Sequence, residues 1–130
     1  MLAVQDVEVR YQGVITALRG VSLEVPDRGV VALLGANGAG KTTLLRATGG
    51  LLRFHGGRVT RGSITFDGKR IDTLDAPRIV GLGIAQVLEG RRLFADLSVD
   101  ENLRTGALSA HDGAAVRRAY GRVMELFPLL

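Results

Sequence analysis

A chain of 130 residues suffices for one modest domain, and a hydrophobic content of 46% suffices for a packed core, which excludes a disordered polymer. No apolar run reaches the roughly 18 residues of a membrane span. The start, MLAVQDVEVR, lacks a signal peptide's basic head and long apolar centre, so a cytoplasmic chain is expected, and the absence of cysteine excludes disulfides and zinc–thiolate sites. The formal net charge of +4 raises nucleic acid or an anionic membrane as a partner. Against nucleic acid, all but two of the 17 basic residues are arginine, and they cluster only in GRR at 90–92 and RRAYGR at 117–122. With no RNA-binding aromatic motif and no zinc spacing, no nucleic-acid partner is expected.

LAVQDVEVRY alternates well enough for a first strand ending near Tyr11, and VITALRGVSLEV reads as a second with a bend near Gly20. Pro26-Asp27-Arg28-Gly29 is a turn. VVALL, residues 30–34, is a continuous apolar run suited to a strand buried on both faces. It delivers Gly35-Ala36-Asn37-Gly38-Ala39-Gly40-Lys41-Thr42, which fits G-x-x-x-x-G-K-[ST]. The glycines allow backbone angles that turn several N–H groups inward as a nest for anionic oxygens. Lys41 supplies a movable charge for the outer phosphates, Thr42 offers a hydroxyl to Mg²⁺, and the helix that starts here points its positive end at the same oxygens. The competing reading is a chance turn in a chain with 18 glycines, but strand, glycine loop and helix are the context that phosphate binding requires.

The helix predicted from TTLLRATGGLL carries Leu44, Leu45, Thr48, Leu51 and Leu52 at helical spacing. RFHGGRVTRG, residues 53–62, reads as a flexible connection, and SITFDGKRI as a hairpin turning at Asp67-Gly68. DAPRIVGLG predicts a short helix starting near Asp75, with Pro77 in its first turn. GIAQV, residues 83–87, reads as another buried strand. SVDENL begins a helix from Ser98, and HDGAAVRRAYGRVMELF holds an amphipathic helix with Val116, Tyr120, Val123, Met124 and Phe127 on one side. His55 and His111 are lone loop histidines, expected at the surface.

With Tyr11, Ala17-Leu18, VSLEV, the phosphate loop, SITFDG, EGRRLF and LSVDENL in this order, the chain resembles the N-terminal part of an ABC transporter ATPase subunit. EGRRLFADLSVDENL is similar to one of the two ATPases of the high-affinity branched-chain amino acid importers, although Leu88 stands where that subunit has proline. The resemblance implies an α/β fold: a P-loop NTPase core with an N-terminal antiparallel β subdomain and the start of a helical subdomain. It divides the chain into residues 1–29, 30–97 and 98–130. The implied function is the ATP-binding portion of an ATPase powering amino-acid import across the inner membrane. The implied partners are membrane-spanning permease subunits and a second ATPase subunit, with peripheral attachment to the membrane.

Residue by residue, the resemblance places Asn37, Gly38, Ala39, Gly40 and Lys41 on the β and γ phosphates of ATP, Thr42 on Mg²⁺ and Thr43 on the α-phosphate. Tyr11 matches an aromatic that stacks on adenine; packing within the strand is its alternative. Glu89 falls where most members have a glutamine that touches Mg²⁺ and the attacking water, whereas Gln86 falls three residues too early. The alternative for Glu89 is an exposed acid paired with Arg91 or Arg92. Arg91, Leu93, Phe94, Leu97 and the helix near Val99 match the surface that receives a short helix from the membrane subunit. Phe94 and Leu97 either form that docking patch or pack inward.

Cleavage needs an acidic partner for Mg²⁺ and a residue that orients water. The family carries these in a Walker B strand ending in Asp-Glu, an LSGGQ-like signature and a later histidine; no apolar run followed by Asp-Glu occurs after residue 48. A truncated chain that holds ATP without cleaving it is therefore expected, with VVALL exposing an apolar edge for want of the Walker B strand. The alternatives are a nucleotide switch that never hydrolyses and a soluble ABC ATPase outside transport. A small kinase or GTPase is disfavoured, because 34 residues precede the loop and no N-K-x-D motif follows.

Overall fold

Strand β1, Leu2–Tyr11, lies between β2, Ile15–Val25, and β3, Gly57–Phe66, in an antiparallel sheet of order β2-β1-β3-β4 closed by the short β4, Lys69–Arg70. The computed structural model describes residues 1–90, 92–108, 110 and 112–130. These fall into two compact units, Met1–Gln86 and Val87–Leu130. Arg91 and His111 lie outside the described residues.

In the first unit, β1 departs from strict alternation, and a bulge accounts for it. Asp6 has a φ of 46°, and the register shifts between Val4 and Val7 against β2. The extra residue switches parity, so that Val4, Val7 and Val9 all face the core. The neighbouring strands accommodate the bulge with Gly20 and Gly62. A Cβ on Gly62 would come within 2.3 Å of the Gln5 carbonyl oxygen and 2.4 Å of that of Asp6, and one on Gly20 within 2.6 Å of Asp6 Oδ1. Arg61 then donates to Asp6 Oδ1 at 2.9 Å, and the Asp6 N–H donates to Ser22 Oγ at 2.9 Å.

Helix α1, Lys41–Thr48, lays Leu44 and Ala47 on this sheet, and a 3₁₀ turn, Leu52–His55, adds Leu52. Helix α2, Ala76–Gly81, starts at Asp75 as expected: its carboxylate accepts from the Arg78 N–H at 3.2 Å, and Ile79 closes the core. The expected hairpin forms at Asp67-Gly68. Beside it Asp72, with a side chain only 4% exposed, accepts from the Ile64 N–H at 3.0 Å and from Arg70 Nε at 3.0 Å. His55 is exposed.

Three expectations from sequence fail here. Residues 53–62 are not a flexible connection: most of them form β3, because β1 is the middle strand and its second edge needs a partner. VVALL is not a buried strand. It has no regular structure, with Val30 97% and Leu34 88% exposed, because no described strand lies beside it to complete its hydrogen bonds. GIAQV is not a strand either. The Ile84 N–H donates to the Ile79 carbonyl at 3.3 Å, which ties the segment back to α2, and Val87 is 98% exposed.

The second unit contains α3, Val99–Thr105, and α4, Gly113–Leu126. Ser98 and Glu101 form a reciprocal capping box on α3, and Asp112 caps α4. Asp100 joins the helices, accepting from Tyr120 Oη at 2.8 Å and pairing with Arg104 Nε at 2.8 Å. Val116, Tyr120, Val123 and Met124 form the half-buried face of α4 expected from their spacing, while Phe127 is 60% exposed.

Asp72 carries a pH dependence. Burial raises its pKa, but hydrogen bonds from Arg70 and from the Ile64 N–H outweigh this and hold it below the ordinary 3.8. A depressed carboxylate pKa gives stability that is present above the unfolded-state value and lost as pH falls through the folded one. The expected result is that Asp72→Asn lowers the melting temperature near neutral pH, and that the gap to the unsubstituted chain narrows from about pH 4 downward. Thermal melts at several pH values check this.

Candidate functional site

The glycine loop ends at the N-terminus of α1, and its glycines hold left-handed angles, with φ of 85° at Gly38 and 94° at Gly40. Gly40 is the N-cap of α1. It lies so close to β2 that an added Cβ would come within 2.5 Å of Leu18 Cδ2 and 2.9 Å of the Ala17 carbonyl oxygen. Leu18 is itself in the core, so this contact fixes the loop's end to the sheet. Residues 35–39 and Thr42 are exposed. Lys41 folds over the loop, its Nζ donating to the Gly35 carbonyl at 2.5 Å and the Ala36 carbonyl at 2.7 Å.

Gly35, Ala36, Asn37, Gly38, Ala39, Gly40, Lys41 and Thr42 thus form one continuous surface feature. Its donors are backbone N–H groups at a helix start, of which that of Ala39 is already given to the Ala36 carbonyl at 3.1 Å, and one ammonium, a set suited to phosphate oxygens. For Mg²⁺, the loop offers the exposed Thr42 hydroxyl. No cluster of three or more His, Cys, Asp or Glu capable of holding a metal occurs among the described residues.

Thr43, the next residue of the helix, is 8% exposed. Its Oγ1 accepts from Tyr11 Oη at 3.3 Å. Tyr11 pairs directly across the sheet from Gly57, and a Cβ on Gly57 would approach the ring's Cε1 to 2.6 Å. The Tyr11 ring therefore lies over Gly57 and packs against the core as it reaches α1.

Glu89 belongs to the second unit and is exposed; its backbone carbonyl accepts from Arg92 Nε at 3.0 Å. Gln86 belongs to the first unit. It lies at the far end of α1 from the glycine loop, where a Cβ on Gly49, the C-cap, would fall 2.2 Å from its Oε1. Phe94 and Leu97 are 58% and 38% exposed and line a cavity of about 420 Å³ with Leu93, Val99 and Leu103. Asn102, which sequence reasoning missed, shapes this loop. It accepts from the Phe94 N–H at 3.0 Å and donates to the carbonyls of Phe94, Leu97 and Ser98 at 3.0–3.1 Å. An asparagine inside a helix, four residues after its serine cap, was the available signal, since such side chains favour bonding to nearby backbone.

The glycine loop at the start of α1 has the geometry of a phosphate cradle, and the family model described as ABC transporter matches residues 18–128. The chain belongs to the ABC transporter family. It is 41% identical over 120 residues to the high-affinity branched-chain amino acid transport ATP-binding protein BraG of Pseudomonas aeruginosa, covering 92% of this chain and 49% of that protein. It is 35% identical over 103 residues to the high-affinity branched-chain amino acid transport ATP-binding protein LivG of Salmonella typhimurium, covering 79% of this chain and 38% of that one. A crystal structure of a nucleotide-free ATP-binding cassette from an ABC transporter superposes with a TM-score of 0.66 at 22% identity, covering 96% of this chain and 53% of the other. The fold is therefore that of an ABC ATPase cassette, of which this family member spans about half.

The close approach at Gly40 gives a direct test. Gly40→Ala combines an unfavourable left-handed angle, costing about 1–2 kcal/mol, with a collision against β2. Urea unfolding should show a loss of at least about 2 kcal/mol.

Proposed function

We propose that this chain is the ATP-binding portion of an ABC ATPase that powers import of branched-chain or related amino acids across the inner membrane. The left-handed glycine loop at the start of α1, with Thr42 exposed beside it, carries the reading. The loop N–H groups would hold the β and γ phosphates of ATP. Lys41 would exchange its two carbonyl partners for phosphate oxygens, and Thr42 would bind Mg²⁺ together with those oxygens. Adenine would lie at Tyr11, and Thr43 would meet the α-phosphate. Similarity to BraG and LivG supports the amino-acid substrate class.

Residues 98–130 would begin the helical subdomain, and Glu89 would take the place of the glutamine that touches Mg²⁺ and water in other members. The exposed Phe94 and Leu97 support a docking surface for a membrane-spanning permease subunit. The complete protein would pair with a second ATPase subunit and attach peripherally to the cytoplasmic face of the membrane. No helix among the described residues is long and apolar enough to cross a bilayer.

Isothermal titration of this chain with Mg-ATP should show binding that Lys41→Ala weakens at least tenfold, about 1.4 kcal/mol or more. Equal affinities would refute the assignment of the loop. The same preparation should release phosphate well below about 1 s⁻¹, since it carries no Asp-Glu strand or signature to complete cleavage.

The docking surface is tested in the complete subunit expressed with its membrane partners. There, Phe94→Ser should abolish co-purification while leaving ATP affinity and the melting temperature unchanged. Normal co-purification, or loss of the fold, would assign Phe94 to packing instead.

A further inference from the structure

Tyr11 reaches the phosphate-binding helix through its hydroxyl, and this is independent of any contact its ring makes with a base. Three observations converge. Tyr11 stands directly opposite Gly57 in the β1–β3 pairing, and only a residue without a side chain leaves the ring room to lean across β3. The ring packs on the core, which limits its rotation. Its hydroxyl then lies 3.3 Å from Oγ1 of Thr43, a residue 8% exposed in the first turn of α1.

A threonine hydroxyl has one proton to donate and two lone pairs. With Tyr11 donating into one lone pair, the Thr43 proton points away from Tyr11 and is available to an acceptor. Without that contact the hydroxyl is free to turn back and donate to the carbonyl three or four residues earlier, that of Gly40 or Ala39, as threonine does in helices. We infer that Tyr11 is a positioning residue for the polyphosphate: its hydroxyl orients the Thr43 hydroxyl as a donor to a phosphate oxygen, so that Tyr11 governs affinity for the phosphates as well as for the base. This rests on the nucleotide-binding role proposed above.

The test uses two probes, Mg-ATP and Mg-tripolyphosphate, which has no base, in calorimetry with the 130-residue chain. Tyr11→Phe keeps the ring and removes the hydroxyl. It should weaken both probes by the same factor, about three- to tenfold, the range for losing one neutral hydrogen bond. Thr43→Val should weaken both at least as much, Thr43→Ser should retain affinity, and Tyr11→Phe with Thr43→Val should be no worse than Thr43→Val alone.

Unchanged affinity in Tyr11→Phe overturns the inference. So does a loss confined to ATP, which would place the effect at the base, and so does an additive double substitution. If Tyr11→Phe fails to fold, Thr43→Val and Thr43→Ser still decide, because equal tripolyphosphate affinity in the two overturns the inference. If the unsubstituted chain binds neither probe, the nucleotide-binding proposal itself falls and this inference falls with it. Binding by the unsubstituted chain with no change in Tyr11→Phe removes the inference alone.

Discussion

The close approach of Gly40 to β2 is the contact on which the placement of the glycine loop depends. Leu18 and the Ala17 carbonyl occupy the space where any side chain at Gly40 would lie. Leu18 belongs to the same core as Leu44 and Ala47 of α1. The helix start is thereby held to the sheet by steric exclusion on one side and apolar burial on the other. A loop with glycines at left-handed angles has many conformations open to it. Anchoring its last residue beside the buried Leu18 of β2 restricts that set, and a loop restricted in this way lowers the entropy that any binding must overcome.

The sheet itself is organised by the bulge at Asp6. One inserted residue turns Val4, Val7 and Val9 to the same face, and the adjacent strands answer with Gly20 and Gly62, whose missing Cβ atoms leave room for it. The bulge line crosses three strands and is tied at the surface by Arg61 and Ser22. These exposed contacts contribute little stability individually. Their effect is on register, since a slip by one residue would carry the valines of β1 to the opposite face.

The second unit is held differently. Among its described residues no side chain is fully buried, and polar clamps take the place of a core: the Ser98–Glu101 box, the Asp100 link between α3 and α4, and Asn102 gripping the Phe94–Ser98 loop. Hydrogen bonds can fix the shape of a loop while leaving its apolar side chains exposed. That is how Phe94 and Leu97 remain at the surface in an ordered segment, and it is why they are reasonable candidates for a partner contact.

Local chemistry alone determined the two long N-terminal strands, the hairpin at Asp67-Gly68, the caps at Asp75 and Ser98, and the eight-residue phosphate motif. Each depends on neighbours a few positions away, and the resemblance carried by the motifs was enough to name the family. Tertiary structure decided the rest. VVALL and GIAQV have strand-like sequences, but a strand exists only beside another, and no described strand borders either segment. Residues 53–62 look like a linker because of their glycines. Yet Gly57 is the space that Tyr11 fills and Gly62 the space that the Asp6 bulge fills, so the residues that read as flexible are the ones that let β3 pair. The Tyr11–Thr43 contact joins positions 32 residues apart, and no local pattern encodes it. It arises because the sheet brings β1 and β3 into register and α1 packs across them, which is a property of the fold rather than of any segment.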